Sequence, residues 1–128
     1  MKNKIIYILL VIIMLFSACD EVLEYDYYIV NNCQDSIVIV FEDASWKYYE
    51  YIIPYNNNKM IYNTSDLVKQ KSTFNTECVK NTFNSLTIYT VLDDTSKINF
   101  INDNLWVKQE ISQDHLKCTL YVDSFSFK

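Results

Sequence analysis

Four cysteines, one histidine and sixteen carboxylates are the groups in this 128-residue chain with reactive potential. The thiols stand at Cys19, Cys33, Cys78 and Cys118, and no two of them form the Cys-x-x-Cys spacing used for redox exchange or structural zinc. His115 is the only side chain whose ordinary pKa suits base chemistry near neutral pH, and no nucleophile motif accompanies it. The chain has no glycine. A nucleophile elbow of the Gly-x-Ser-x-Gly type and the glycine-rich phosphate loops need backbone conformations that other residues adopt only at a cost, so neither is expected. Carboxylates at Asp93-Asp94 and Asp103 lie in turns, without the fixed spacing and central glycine of a calcium loop. We therefore expect no enzyme, no metal and no cofactor.

Cys19 differs from the other thiols by its context. Lys2 and Lys4 precede an apolar run from Ile5 to Phe16, 12 residues long, followed by Ser17-Ala18-Cys19. A membrane-spanning helix needs roughly 20 apolar residues. A basic start, a short apolar stretch and a small-residue exit describe a secretory signal peptide. The exit also resembles the lipobox of bacterial lipoproteins, Leu-(Ala/Ser/Thr)-(Gly/Ala)-Cys. Ser17 and Ala18 match it, while Phe16 stands at the leucine position and Leu15 lies one place earlier. The resemblance implies that residues 1–18 are a signal peptide and that the Cys19 thiol receives a diacylglyceryl group. Cleavage then makes Cys19 the first residue, and a fatty acid such as palmitate acylates its new amine. Two or more acyl chains give firm anchoring where one does not. An ordinary signal peptide with an incidental cysteine and an uncleaved N-terminal anchor are the other readings.

The residues after Cys19 turn acidic, with Asp20, Glu21, Glu24 and Asp26 close together. In enteric lipoproteins an aspartate straight after the lipidated cysteine resembles an inner-membrane retention signal. In lipoproteins of Bacteroidota an acidic stretch here resembles a surface-export signal. The composition, with 13 Asn, 11 Tyr and no Arg, leans to the second, with Asp20, Glu21 and Glu24 as the sorting residues and 19–26 as an acidic tether. The expected location is the bacterial outer membrane, at the cell surface or on its periplasmic face.

Removal of residues 1–18, which carry Lys2 and Lys4 and no acid, would take the net charge from -5 to -7 over 110 residues. That balance argues against nucleic acid, whose phosphates require neutralising cations. The length suits one domain with a modest core, which a disulfide would reinforce. Three pairings of the body cysteines are open, and Cys33 with Cys78 is the expected one. Cys118, in phase with Leu116 and Leu120, reads as a small buried hydrophobe.

Strand signals dominate the body. Tyr25–Asn31, Ser36–Glu42, Trp46–Ile53, Ser85–Leu92, Leu105–Ile111 and His115–Val122 are β-branched or aromatic runs separated by polar turns. The first two are expected to form a hairpin, with the second strand central because both its faces are apolar. Thr64–Lys71 is expected to hold a helical turn. We expect an all-β fold, a single small antiparallel β-sandwich over residues 27–128, with a barrel as the alternative. The layout resembles small β-sandwich lipoproteins of Bacteroidota in its segment "NNCQDSIVIV" from Asn31 and in Trp106, Tyr121 and Phe125.

Trp46, Tyr48, Glu50 and Ile52 are the candidate binding face. If Tyr49, Tyr51 and Ile53 point inward, the alternate residues form an exposed aromatic stripe suited to protein or sugar. The expected partners are thus the membrane, through lipid on Cys19, and an envelope protein or glycan. The expected role is binding or scaffolding, with an immunity or inhibitor protein against a toxin or hydrolase as the alternative.

Overall fold

The computed structural model describes residues 2–16, 21–68, 78–79, 82–92 and 95–127. Lys2–Phe16 form one helix, α1. Its side chains from Ile5 to Ile12 are apolar or aromatic and all exposed. At 1.5 Å per residue its 15 residues extend about 22 Å, against roughly 30 Å of bilayer hydrocarbon. Among the described residues no helix is long and apolar enough to cross a membrane.

Among the described residues the body is a β-sandwich of seven strands: β1 (Glu21–Asn31), β2 (Ile37–Asp43), β3 (Tyr48–Ile53), β4 (Asn58–Val68), β5 (Phe83–Thr90), β6 (Trp106–Ser112) and β7 (His115–Val122). One sheet has the order β4-β1-β7-β6 and the other β3-β2-β5. We call them the four-stranded and three-stranded sheets. The all-β sandwich expected from the sequence is present, with one departure from a purely antiparallel plan: β1 and β7 run parallel.

Alternation builds the interior. Leu23, Tyr25, Tyr27 and Ile29 of β1 and Leu116, Cys118, Leu120 and Val122 of β7 face inward from the four-stranded sheet. Ile37, Ile39 and Phe41 of β2 and Leu86 and Ile88 of β5 meet them from the other. Aromatic rings fill the centre. Tyr27 lies edge-on to Phe83 at 5.1 Å and to Trp106 at 5.8 Å between centroids. Phe41 stacks on Tyr49 at 4.8 Å and meets Phe83 edge-on at 5.2 Å. The Tyr27 hydroxyl, wholly inside, donates to the Cys78 carbonyl at 2.5 Å. Trp106 satisfies its indole N–H on the Phe100 carbonyl at 2.8 Å.

Several expectations need correction. β1 and β2 are not a hairpin, because β4 and β7 occupy both sides of β1. The chain instead turns a corner around Asn31. This buried amide donates to the carbonyls of Asp35 and Ile53, both at 2.9 Å, and accepts from the Cys33 amide. β2 is nevertheless central, as its two apolar faces indicated. Of the stretch 64–71, residues 64–68 continue β4 and do not form a helical turn, since pairing with Glu21–Tyr25 supplies their hydrogen bonds, and 69–71 lie outside the described residues. The same pairing places residues 21–26 of the expected acidic tether within β1, and residues 19 and 20 lie outside the described residues.

The cysteine pairing also differs. Cys78 is bonded to Cys118, with Cα atoms 6.0 Å apart, and Cys33 is a free, buried thiol. Cys33 sits at the Asn31 corner with its Sγ directed to the Val122 carbonyl at 3.6 Å. Cys118 neighbours Tyr27 in register, at the point where the Tyr27 hydroxyl already holds the Cys78 carbonyl. Cys118 is thus buried, as its phase indicated, but as half of a disulfide. Burial, then Asp123 and Asp35, push the Cys33 thiol above its ordinary pKa, which keeps it protonated and inert.

Peptide mapping without reductant is expected to recover Cys78 linked to Cys118, with Cys33 alkylated only after unfolding. The closed loop has a sequence separation of 40. In the loop-entropy account, cutting it by reduction or by a Cys78→Ala/Cys118→Ala variant costs about 2–4 kcal/mol of stability, measurable by denaturant unfolding.

Candidate functional site

The candidate site is the outer face of the three-stranded sheet and the turn that opens it. Asp43 ends β2 and Tyr48 begins β3, so the hairpin closes through Ala44, Ser45 and Trp46. The Asp43 amide donates to the Lys47 carbonyl at 3.0 Å, and the Trp46 amide donates to the Asp43 carbonyl at 2.9 Å. This is the three-residue hairpin loop whose last position takes the left-handed backbone conformation, ordinarily a glycine position. Here it is Trp46, at φ 63°. A bulky residue in that region is strained by roughly 1–2 kcal/mol. Among the described residues the other positive-φ residue, Asn56, is of a type that tolerates it. Trp46 is also 73% exposed, so burial of its ring does not offset the strain.

Asp43 holds the turn. Its Oδ1 accepts the amides of Ser45 at 2.9 Å and Lys47 at 3.0 Å, and its Oδ2 accepts the hydroxyls of Tyr49 and Tyr62, each at 3.3 Å. Its own carbonyl accepts from the Asn84 side chain at 2.7 Å, and the Ala44 amide donates to Thr82 at 3.0 Å. The turn is therefore fastened to β3, to β4 of the opposite sheet and to the start of β5. The Lys47 amide, followed by the Ser45 amide and the two phenols, holds the Asp43 carboxyl below the usual range, against the opposing effect of burial.

From this turn β3 alternates as its sequence indicated: Tyr49, Tyr51 and Ile53 lie inward, and Tyr48, Glu50 and Ile52 are exposed. Tyr48 donates its hydroxyl to Glu50 Oε2 at 2.9 Å, which raises the phenol pKa and fixes both side chains. The register adds residues that the sequence alone did not bring together. Tyr48, Glu50 and Ile52 pair with Glu42, Val40 and Val38, which pair in turn with Ser85, Thr87 and Tyr89. Paired residues share a face. These nine positions include two carboxylates, two tyrosines and three aliphatics, and no basic group. Val38 lies on this outer face, flanked in register by Ile52 and Tyr89, yet is only 6% exposed.

The remaining predicted residues lie elsewhere. Cys19 and Asp20 are outside the described residues. Glu21 opens β1, and Glu24 is exposed on the four-stranded sheet with its amide on the Asp114 carbonyl at 2.7 Å. His115 Nε2 is 2.5 Å from Asp26 Oδ2, on that same outer face, and Asn63 donates to the other oxygen of Asp26. Cys33 and Cys78 belong to the interior. No protein-family model, curated protein or solved structure matches the chain. Sequence reasoning missed Asp43. The signal was present in "FEDASWKYY", where an acid stands two and four residues before amides that a three-residue loop leaves unpaired.

Asp43→Asn is expected to lower the melting temperature at pH 7, because the amide is uncharged and cannot accept on both sides. A carboxyl whose pKa is depressed on folding stabilises above its unfolded pKa of about 4, and that contribution is lost as pH falls through the folded value. The gap in melting temperature between wild type and Asp43→Asn should therefore narrow below about pH 4, as read by circular dichroism at pH 7 and pH 3.

Proposed function

We propose that this protein is a lipid-anchored cell-envelope protein acting as a binding or scaffolding module, tethered through Cys19 and displaying the outer face of its three-stranded sheet. The binding half of this reading is carried by Trp46, strained and exposed where glycine or asparagine would serve the fold better. Strain retained without a packing reward points to a use outside the fold. The anchoring half is supported by the apolar run of α1 and the Ser17-Ala18-Cys19 sequence that follows it. Cleavage before Cys19 would leave two residues ahead of β1, so the sandwich would be held at the membrane and not on a long arm. The proposed location is the bacterial outer membrane. Glu42 and Glu50, on a face without cations, favour as second reading an immunity or inhibitor protein that covers a basic target.

Cys19→Ala is expected to abolish labelling by an alkyne-palmitate analogue and to release the protein from membranes; retained labelling would refute the lipid anchor. Neutralising Asp20, Glu21 and Glu24 together should reduce protease accessibility on intact cells if they direct surface export. Trp46→Gly should leave thermal stability unchanged or raise it by up to about 1 kcal/mol while removing partner capture by crosslinking. A Trp46→Gly protein that captures its partner normally would show that the indole serves no binding role.

A further inference from the structure

Each sheet of the sandwich has two edges, and an edge strand offers unpaired backbone groups to any extended chain. Folded proteins blunt such edges with bulges, lysines, prolines or covering segments. Three of the four edges here carry such devices. The pairing of β4 with β1 is broken by a register shift at Tyr27/Tyr28, and β4 contains Lys59. The pairing of β6 with β7 shifts between Glu110 and Ser112, and β6 contains Lys108. β5 shifts against β2 at Glu42/Asp43, and Thr95 bridges to Tyr89 on its outer side. Among the described residues β3 has the fewest: its register with β2 is continuous from Tyr48 to Ile53, Glu50 is its one charge, and its lysine and proline neighbours, Lys47 and Pro54, lie just outside its ends. Among the described residues its only ladder partner is β2.

The turn fixes which backbone groups are free. Asp43 and Lys47 form a hydrogen-bonded pair, and antiparallel pairs alternate between hydrogen-bonded and non-hydrogen-bonded. Tyr49, Tyr51 and Ile53 therefore bond to β2, while the N–H and C=O groups of Tyr48, Glu50 and Ile52 point to the open edge. These same three residues expose their side chains on the outer face, Tyr48 and Ile52 at 57% and 59%.

We propose that β3 accepts an extended, basic segment of a partner protein as an added strand, with its lysine or arginine side chains lying over Tyr48 and beside Glu50. This rests on the reading of the outer face as a binding surface and names its occupant. Charge decides among the occupants. The nine outer-face positions carry Glu42 and Glu50 and no cation, so an alternating basic strand is complementary, and its cations also gain the Tyr48 ring. A second copy of this chain is disfavoured. The antiparallel register that joins the open backbone groups of Tyr48, Glu50 and Ile52 to those of Ile52, Glu50 and Tyr48 in a second copy sets Glu50 opposite its own copy, and like charges directly opposite destabilise a pair. Main-chain pairing supplies affinity in this mode and the alternate side chains supply specificity.

The test uses the full chain in non-ionic detergent with four probes: a nine-residue peptide alternating lysine and valine, the same peptide interrupted by two prolines, an alternating glutamate-valine peptide, and a neutral glucose hexasaccharide. Binding is followed by the emission of the exposed Trp46, Trp106 being buried, and by amide exchange. The lysine-valine peptide is expected to bind saturably and to slow exchange at Tyr48, Glu50 and Ile52. The proline-interrupted and glutamate peptides should bind at least tenfold more weakly. Glu50→Lys should weaken the lysine peptide at least tenfold and reverse the charge preference, and Ile52→Pro, which removes one edge donor, should abolish protection. Because Glu50 is exposed, its variant tests the proposal even if Ile52→Pro does not fold. Equal binding of the proline-interrupted peptide, no protection at these three amides, or dimerisation through β3 would overturn strand addition. A hexasaccharide that shifts Trp46 without protecting the edge would overturn it too, while leaving the broader reading of a binding face intact.

Discussion

Burial of aromatic rings between two sheets is the constraint on which this fold depends. Neither sheet has a stable face without the other, and a body of this size buries only a modest core. Tyr27 stands at the centre, edge-on to Phe83 and Trp106, and its hydroxyl reaches the Cys78 carbonyl. Beside it Cys118 is joined to Cys78. Asp103 accepts the amides of Cys78 and Val79, so these two residues are held from three directions. Burial pushes the Asp103 carboxyl up, but the Lys108 ammonium and the two amides outweigh it and hold the pKa below the ordinary value. Covalent, polar and apolar ties thus meet at Cys78 and Val79, which stand in sequence between β4 and β5.

Asp43 does for the candidate site what Tyr27 does for the core. A buried carboxylate is tolerated only when its oxygens are satisfied, and four donors satisfy this one. Its contacts reach both sheets, so the turn cannot shift without disturbing the interior. That rigidity presents Trp46 and sets the phase of β3. The absence of glycine sharpens the contrast between the two left-handed positions among the described residues: one is filled by an asparagine, which adopts it readily, the other by a tryptophan, which does not.

The alternation of β3 and β7 was legible because each strand has one buried face and a period of two. The central place of β2 was legible because five consecutive apolar residues need cover on both faces. The β1–β2 hairpin was misjudged, because a polar turn between two strands looks alike whether the chain folds back or crosses to another sheet. Only the partners of Asn31 distinguish these cases. Cys33–Cys78 failed for a related reason: sequence spacing does not report distance, and Cys33 and Cys118 sit at different levels of the sandwich. Residues 64–68 took the strand conformation because β1 offered a ladder, which overrides a weak local preference for a helical turn.

By itself the sequence determined the all-β class, the inward and outward faces of the strands, the exposed set Tyr48, Glu50 and Ile52, and the apolar stretch that ends at Ser17-Ala18-Cys19. These are local properties, set by side-chain period and composition. The tertiary structure alone decided which strands are neighbours, which cysteines meet, that Asp43 anchors a strained turn, and that β3 is an edge strand. Each of these depends on contacts between residues far apart in the chain, and the pattern of any one segment is compatible with several such partners until the whole core is packed.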